Sequence, residues 1–350
     1  MDPLAAFCPN MDCVARGHTQ RGNIKIHCRK RRRYRCSECG KTFSERQGTV
    51  FYHAHTDPET ITIVLTLLTY GCPIGAIEAA FGFQRRTVRA WLDKAGQHCQ
   101  SVHEHLVLVP QCLQHVQVDE IFVRTQQGLV YLFSALCVST RLWLGGFISD
   151  KRDNKAARRL AQLVRRCAQM GPLLVLCDGF RPYQEAFRRA FRWPLKTGRP
   201  GRPRMLAWSS LVVVQHVKQR QIVRLVQGTW NQFIALWHQV GQRVISTSYI
   251  ERLNATFRQR LSSLARRTRH LARTQATLEA GLHLLGCVYN FCHVHRSLGR
   301  TPAQAAGLAL EVWTVRELLW YRLRPPRWRP PRHRGPLSQR ERALLAQWGL

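Results

Sequence analysis

The sequence predicts a multidomain α/β protein: two small N-terminal modules, then a larger domain with a mixed sheet flanked by helices. Three observations carry that expectation. Five of the thirteen cysteines fall within the first 39 residues. A series of helical segments with recognisable cap residues opens at Asp57. From Gln114 onward, three strand-like runs, a helix and a fourth apolar strand follow in order. A chain of 350 residues with 45% hydrophobic content can fill several cores, which excludes a wholly disordered chain.

The first module spans residues 1–48. Cys8 and Cys13 form a C-x4-C pair, and Cys36 and Cys39 a tight C-x2-C pair followed by Gly40. Two short cysteine loops supply the four soft ligands that one structural Zn²⁺ takes in a tetrahedron. So small a unit buries too little apolar surface to fold without the metal. His18 and Cys28 compete for a ligand position; Cys28 is expected to end a strand, leaving Cys8, Cys13, Cys36 and Cys39 as the ligand set of a zinc ribbon.

The second module spans residues 56–98. Asp57 as N-cap and Pro58 at the first helical position open a helix that Gly71 closes. Pro73 starts a short helix, Phe81-Gly82-Phe83 makes a tight turn, and a further helix runs from Gln84 to Leu92 with Val88, Trp91 and Leu92 inward. Helix, glycine turn and basic second helix form the helix-turn-helix pattern, with Gln84, Arg85, Arg86 and Arg89 directed at the DNA major groove. The competing reading is an ordinary three-helix packing unit whose arginines are solvated.

The third region spans residues 113–300. Strand-like runs cover His115 to Arg124, Leu129 to Ser139 and Leu142 to Ser149. A helix from Asn154 to Gln169, a strand from Pro172 to Cys177 and a helix from Pro182 to Arg192 follow. Strands from Leu211 to Lys218 and Ile222 to Val226 then precede helices from Tyr249 and Thr274. This is the element order of a ribonuclease-H-like domain. Carboxylates are scarce here, eight between 114 and 300, so their positions are informative. Asp119 lies within the first strand, Asp178 directly follows the fourth, and Glu251 lies near a helix start. Three hard oxygen ligands in an arginine-rich protein suit two Mg²⁺ ions engaged in phosphodiester displacement, with Mn²⁺ able to substitute. Glu120 is the neighbour most easily exchanged with Asp119, because strand parity alone does not separate the pair.

Residues 301–350 read as C-terminal helices and an Arg/Pro-rich basic tail. Thr301 caps a short helix ending at Gly307, a second runs from Val312 to Leu323, and an extended arm from Arg324 to Pro336 follows. His293 and His295, at alternate positions after a helix, read as loop packing or phosphate contacts in preference to a second metal site.

Charge narrows the partner. Fifty-four Lys and Arg against twenty Asp and Glu leave +34, and forty-six of the bases are arginine, whose planar fork suits bidentate phosphate contact. A field this positive selects a polyanion, and nucleic acid leads. The most apolar stretch, Leu129 to Ser149, is interrupted by Arg141 and does not read as a membrane span. The first ten residues lack the basic and apolar regions of a signal peptide, and the clustering of five cysteines within 39 residues reads as metal binding in a reducing cytoplasm.

Several runs together resemble one family. They are Arg35-Cys36-Ser37-Glu38-Cys39-Gly40-Lys41-Thr42-Phe43-Ser44, Gln117-Val118-Asp119-Glu120 and Cys177-Asp178-Gly179-Phe180 with Tyr183. The most specific is Ser248-Tyr249-Ile250-Glu251-Arg252-Leu253-Asn254-Ala255-Thr256-Phe257-Arg258, continued by Leu264-Ala265-Arg266-Arg267-Thr268. Tyr289-Asn290-Phe291-Cys292, His295 and Thr301-Pro302-Ala303 complete the set. From residue 8 to about 320 the chain resembles a DDE-type bacterial insertion-sequence transposase, of the insertion-sequence-one-like branch with a zinc ribbon and helix-turn-helix ahead of the catalytic domain. The resemblance implies Asp119, Asp178 and Glu251 as the metal-binding triad, with Arg252, Asn254 and Arg258 as DNA contacts. It implies binding of double-stranded DNA at terminal inverted repeats and at a target, strand cleavage and transfer, and a homodimer or higher oligomer on DNA near the nucleoid. One departure is the spacing: 72 residues separate Asp178 from Glu251, more than in compact members, so the 193–245 segment reads as an insertion. Two other readings remain: a non-catalytic or domesticated DNA-binding protein, and a nuclease that cuts without joining.

Overall fold

The computed structural model describes all residues except 196, 197, 199, 200, 218–221, 242, 243, 329–334, 349 and 350. Lys218 at the end of one expected strand and residues 329–334 of the expected arm therefore lie outside the described residues, as do parts of the 193–245 segment. The chain divides into two compact units, Met1–Thr56 with Trp320–Leu350, and Asp57–Leu319.

In the first unit, β1 (Ile24–Cys28), β2 (Arg33–Cys36) and β3 (Thr42–Ser44) form an antiparallel sheet. Cys28 ends β1, as the sequence predicts. Ile24, Tyr34, Phe43, Ala6 and Ala15 are buried around the sheet, and Trp348 from the C-terminal segment joins this core, its ring against His18. Trp320 packs on Phe51 in the same unit.

The second unit begins with α1 (Pro58–Thr69), whose N-cap Asp57 accepts from the amides of Glu59 and Thr60. α2 (Ile74–Phe81) ends at Gly82, whose φ of 71° is the left-handed conformation glycine adopts without cost. α3 runs from Arg85 to Leu106, well beyond the Leu92 end expected from the sequence. Gly96 lets it continue: a Cβ there would stand 2.4 Å from the Cα of Ala280, so only glycine permits the helices to approach this closely.

The central sheet has the order β11-β10-β7-β4-β5-β6. β4 (His115–Thr125), β5 (Gly128–Cys137) and β6 (Trp143–Ser149) are antiparallel; β7 (Leu173–Cys177) lies parallel to β4, reached through the crossover helix α4 (Asn154–Cys167). α5 (Pro182–Ala190) follows, then the short hairpin β8 (Arg192–Pro194) and β9 (Met205–Ala207). β10 (Leu211–Val217) pairs parallel with β7, and β11 (Ile222–Gln227) closes the edge antiparallel. α6 (Trp230–Gln239) is a helix the sequence reading does not anticipate, although Thr229 and Gln232 form a capping box at its start. α7 (Ser248–Arg260) and α8 (Gln275–Cys287) complete the unit, α8 passing into a π-helical turn, Val288–Cys292.

Alternation along β4 decides what its residues can do. Ile121 and Val123 are buried in one core with Ile250, Leu253 and Phe257 of α7, so the odd positions of β4 face α7. Trp143 anchors the same core, with its indole N–H on Ser134 Oγ at 3.0 Å, and the Asn290 side chain bonds both its backbone N–H and C=O at 2.9 Å. No described helix is long and apolar enough to cross a membrane.

Candidate active site and metal clusters

Parallel pairing of β4 and β7 ends at Val118 opposite Cys177. Asp119, the next residue of β4, and Asp178, the first residue beyond β7, stand close together where β7 leaves the sheet and β4 continues against β5 alone. Such a point, at the carboxyl end of a strand, is where open α/β sheets form a crevice. Asp119, Glu120 and Asp178 each bring a carboxylate oxygen within 4.8 Å of the others.

The alternation gives Asp119 and Glu120 different partners. Asp119 has the odd parity of Ile121 and Val123 and meets α7: its Oδ2 accepts from Asn254 Nδ2 at 2.8 Å. Glu120 has the opposite parity and is engaged by both oxygens. Arg152 Nε donates to Oε1 at 2.6 Å, and the Tyr183 hydroxyl of α5 donates to Oε2 at 2.6 Å. Arg152 also approaches Asp178 at 3.7 Å and lies over the Phe180 ring. The amide of Phe180 donates to Asp178 Oδ1 at 3.0 Å.

Glu251 is not a fourth member of the 4.8 Å cluster. It lies on the first turn of α7, where its Oε1 accepts from Thr247 Oγ1 at 2.6 Å, and its charge reaches Asp119. Burial, together with the Glu120, Asp178 and Glu251 carboxylates, pushes Asp119 up to about 7. Burial and Asp178 push Glu120 up, while Tyr183 and Arg152 counter that rise. Burial and Arg266 lower Arg258, against a smaller opposing pull from Asp119.

Two glutamines that the sequence reading assigns no role hold this arrangement. Gln117, fully buried on the α7 side of β4, accepts from the amides of Tyr249 (3.1 Å) and Ile250 (3.0 Å) and donates to Ser246 O at 2.8 Å. It satisfies orphan N–H groups at the start of α7 and fixes where the Glu251 turn sits. Gln215 of β10 donates to the carbonyls of Asp178 (3.0 Å) and Phe180 (3.1 Å) and accepts from Gln184 at 2.7 Å. A glutamine inside an apolar strand was the available signal for both.

The four predicted cysteines also converge. Cys8, Cys13, Cys36 and Cys39 lie within 4.8 Å of one another, with Cys8 to Cys39 at 3.7 Å and Cys13 to Cys36 at 3.9 Å. Zn–S bonds of about 2.3 Å in a tetrahedron require sulfurs about 3.8 Å apart, so the spacing fits. Burial and the crowded sulfurs push Cys13 up to about 12 and Cys8 upward as well. His18 and Cys28 are not in the cluster.

At the start of α3, Gln84, Arg85 and Arg86 are exposed and Arg89 is half-buried. Arg85 pairs with Glu78 at 2.6 Å. Arg85 and Arg89 line a cavity of about 330 Å³ together with Arg269, His270 and Arg273 from the α7–α8 connection. Two of the four expected base readers thus share a basic cleft with that connection.

A protein-family model described as a DDE domain matches residues 113–198, which include Asp119, Glu120 and Asp178. No curated protein matches the chain. At residues 113–198 the chain is thus similar to the DDE domain of DDE-type insertion-sequence transposases.

Proposed function

We propose that this protein is the transposase of a bacterial insertion sequence, of the branch with a zinc ribbon and helix-turn-helix, and that it cleaves and joins DNA strands with Asp119, Asp178 and Glu251. The observation that carries the reading is the parity of β4: within a matched DDE domain, Asp119 shares its sheet face with the helix that bears Glu251, beside Asp178.

Asp119, Glu120 and Asp178 bring carboxylate oxygens close enough together to suit a divalent cation. Burial, with the neighbouring carboxylates, raises Asp119 to about 7, and a bound cation offsets the cost of its charge. Asp119, Asp178 and Glu251 would hold Mg²⁺, which supplies charge neutralisation and Lewis acidity toward phosphate oxygens when bound, Mn²⁺ serving in its place. Around it the chain's own groups position. Asn254 orients Asp119, Gln215 the Asp178 loop, and Gln117 the turn carrying Glu251. Glu120, held by Arg152 and Tyr183, braces the site and is not a ligand in this reading. The attacking oxygen is first that of water, at a strand end, and then the freed 3′-OH on target DNA.

Cys8, Cys13, Cys36 and Cys39 would hold one structural Zn²⁺. DNA recognition is assigned to Gln84, Arg85, Arg86 and Arg89, with Arg252, Asn254 and Arg258 next to the chemistry, on a homodimer or larger assembly at the terminal repeats. The test is a plasmid carrying the DNA that flanks the coding sequence, incubated with the protein and Mg²⁺. Nicks at discrete ends and joined products support a transposase. Cuts without joining favour a nuclease, and binding alone favours a non-catalytic DNA-binding protein.

A further inference from the structure

α7 presents two functional faces. Glu251, Asn254 and Arg258 turn toward Asp119, while Tyr249 and Arg252 line a separate cavity of about 70 Å³ with Arg141, Tyr289, His293 and His295. Small-molecule sites measure roughly 300–1,000 Å³, so this one admits a single polar group and not a nucleoside.

The lining is cationic and uncompensated. Arg141 comes from the β5–β6 turn, Arg252 from α7, and both histidines from the segment after the π-helical turn. Among the described residues, none of Arg141, Arg252, His293 and His295 forms an ion pair with a carboxylate. Burial and the nearby Arg141 and Arg252 push His295 down; burial, Arg260 and His295 do the same to His293. Arg260 Nη2 donates to His293 Nδ1 at 3.2 Å, and a guanidinium can only donate. The neutral His293 ring therefore carries its proton on Nε2, a hydrogen-bond donor.

The backbone here is also unusual. Arg141 has a φ of 57°, rare for a residue with a side chain, and its surroundings fix it there. Its guanidinium donates to Val138 O and stacks 3.9 Å from the Tyr249 ring centroid, while its carbonyl accepts from the Tyr289 hydroxyl at 3.1 Å. Strained residues and short π-helical segments both concentrate where a site is being shaped.

We propose that this cavity seats one backbone phosphate of bound DNA, held by Arg141, Arg252, His293 and His295, which registers the strand beside the carboxylates. The chemistry is that of any phosphate oxyanion; DNA is the source because Glu251 lies on the adjoining face of the same helix. The inference rests on the DNA-processing reading above.

The test uses the full chain and a duplex carrying the flanking DNA, with affinity measured from low to high salt. Arg252→Gln, at an exposed position, and His295→Gln are compared with wild type after circular dichroism confirms folding. Each should weaken binding, Arg252→Gln roughly tenfold, and Arg252→Gln should flatten the log K against log salt slope by about 0.9, one phosphate contact. Scanning a single uncharged methylphosphonate along the strand should find one position that weakens the wild type and leaves Arg252→Gln unaffected. Unchanged slopes in both variants, or no such position, overturn the seat while leaving the function standing. Calorimetric binding of inorganic phosphate that Arg252→Gln abolishes, with the DNA slope unchanged, also overturns it, in favour of a free-anion site. A wild-type chain that binds no duplex overturns the seat and the proposed function together.

Discussion

Replacing Asp119 with asparagine removes a charge that burial, and then the neighbouring carboxylates, make costly. The amide keeps an oxygen to accept from Asn254, so the contact at 2.8 Å survives while the charge goes. The folded-state value near 7 lies above the usual 3.8, so between those two pH values the native state holds a proton that the unfolded state has lost. Wild-type stability therefore falls as pH rises through that window, and the loss is complete above about 7. At about 1.4 kcal/mol per pH unit, the gap from 3.8 to about 7 is worth at most about 4 kcal/mol. Urea denaturation of wild type and Asp119→Asn in magnesium-free buffer, zinc retained, measures it. The variant's advantage should be smallest near pH 4, grow to pH 7 and level off above; Mg²⁺ at pH 8 should restore the wild type and act weakly on the variant. A stability difference that stays flat from pH 4 to pH 8 would refute the argument, as would a wild type indifferent to Mg²⁺.

Three further outcomes follow from named contacts. Gln117→Leu leaves the Tyr249 and Ile250 amides and Ser246 O without their partner, so it should cost about 2–4 kcal/mol and depress cleavage more than DNA binding. Cys36→Ser with Cys39→Ser should take the zinc content from one per chain to none by metal analysis; unchanged zinc would remove the proposed ribbon site. Gly96→Val forces a side chain into the Ala280 backbone and should destabilise by about 3 kcal/mol, seen as a lowered thermal midpoint.

Much of the mixed sheet and its helices was legible because the signals are local. An apolar strand followed by an aspartate, or a helix with a carboxylate on its first turn, can be recognised within a dozen residues. The difference in surroundings between Asp119 and Glu120 was not legible, because it depends on which face of β4 meets α7. Only the packing of Ile121 and Val123 against Ile250, Leu253 and Phe257 supplies that. The length of α3 was hidden for a similar reason: Gly96 reads as a weak point along the chain and becomes a close-packing position only once Ala280 is opposite. The place of Trp348 in the core of the cysteine-rich unit depends on a contact with His18, more than three hundred residues away in sequence. Gln117 and Gln215 were visible as polar residues in apolar strands, but their partners lie on elements far along the chain. The helix α6 is a different case, since its Thr229–Gln232 capping box was present in the sequence to be read.

The measurement that bears most directly on the proposal is cleavage of the flanking DNA, with Mg²⁺, by four single variants. Asp119→Asn, Asp178→Asn and Glu251→Gln should each abolish strand cleavage and transfer while DNA binding persists. Glu120→Gln, whose carboxylate is held by Arg152 and Tyr183, should keep measurable activity. Full activity in Asp178→Asn, or loss in Glu120→Gln with activity retained in Asp119→Asn, would contradict the assignment of the triad.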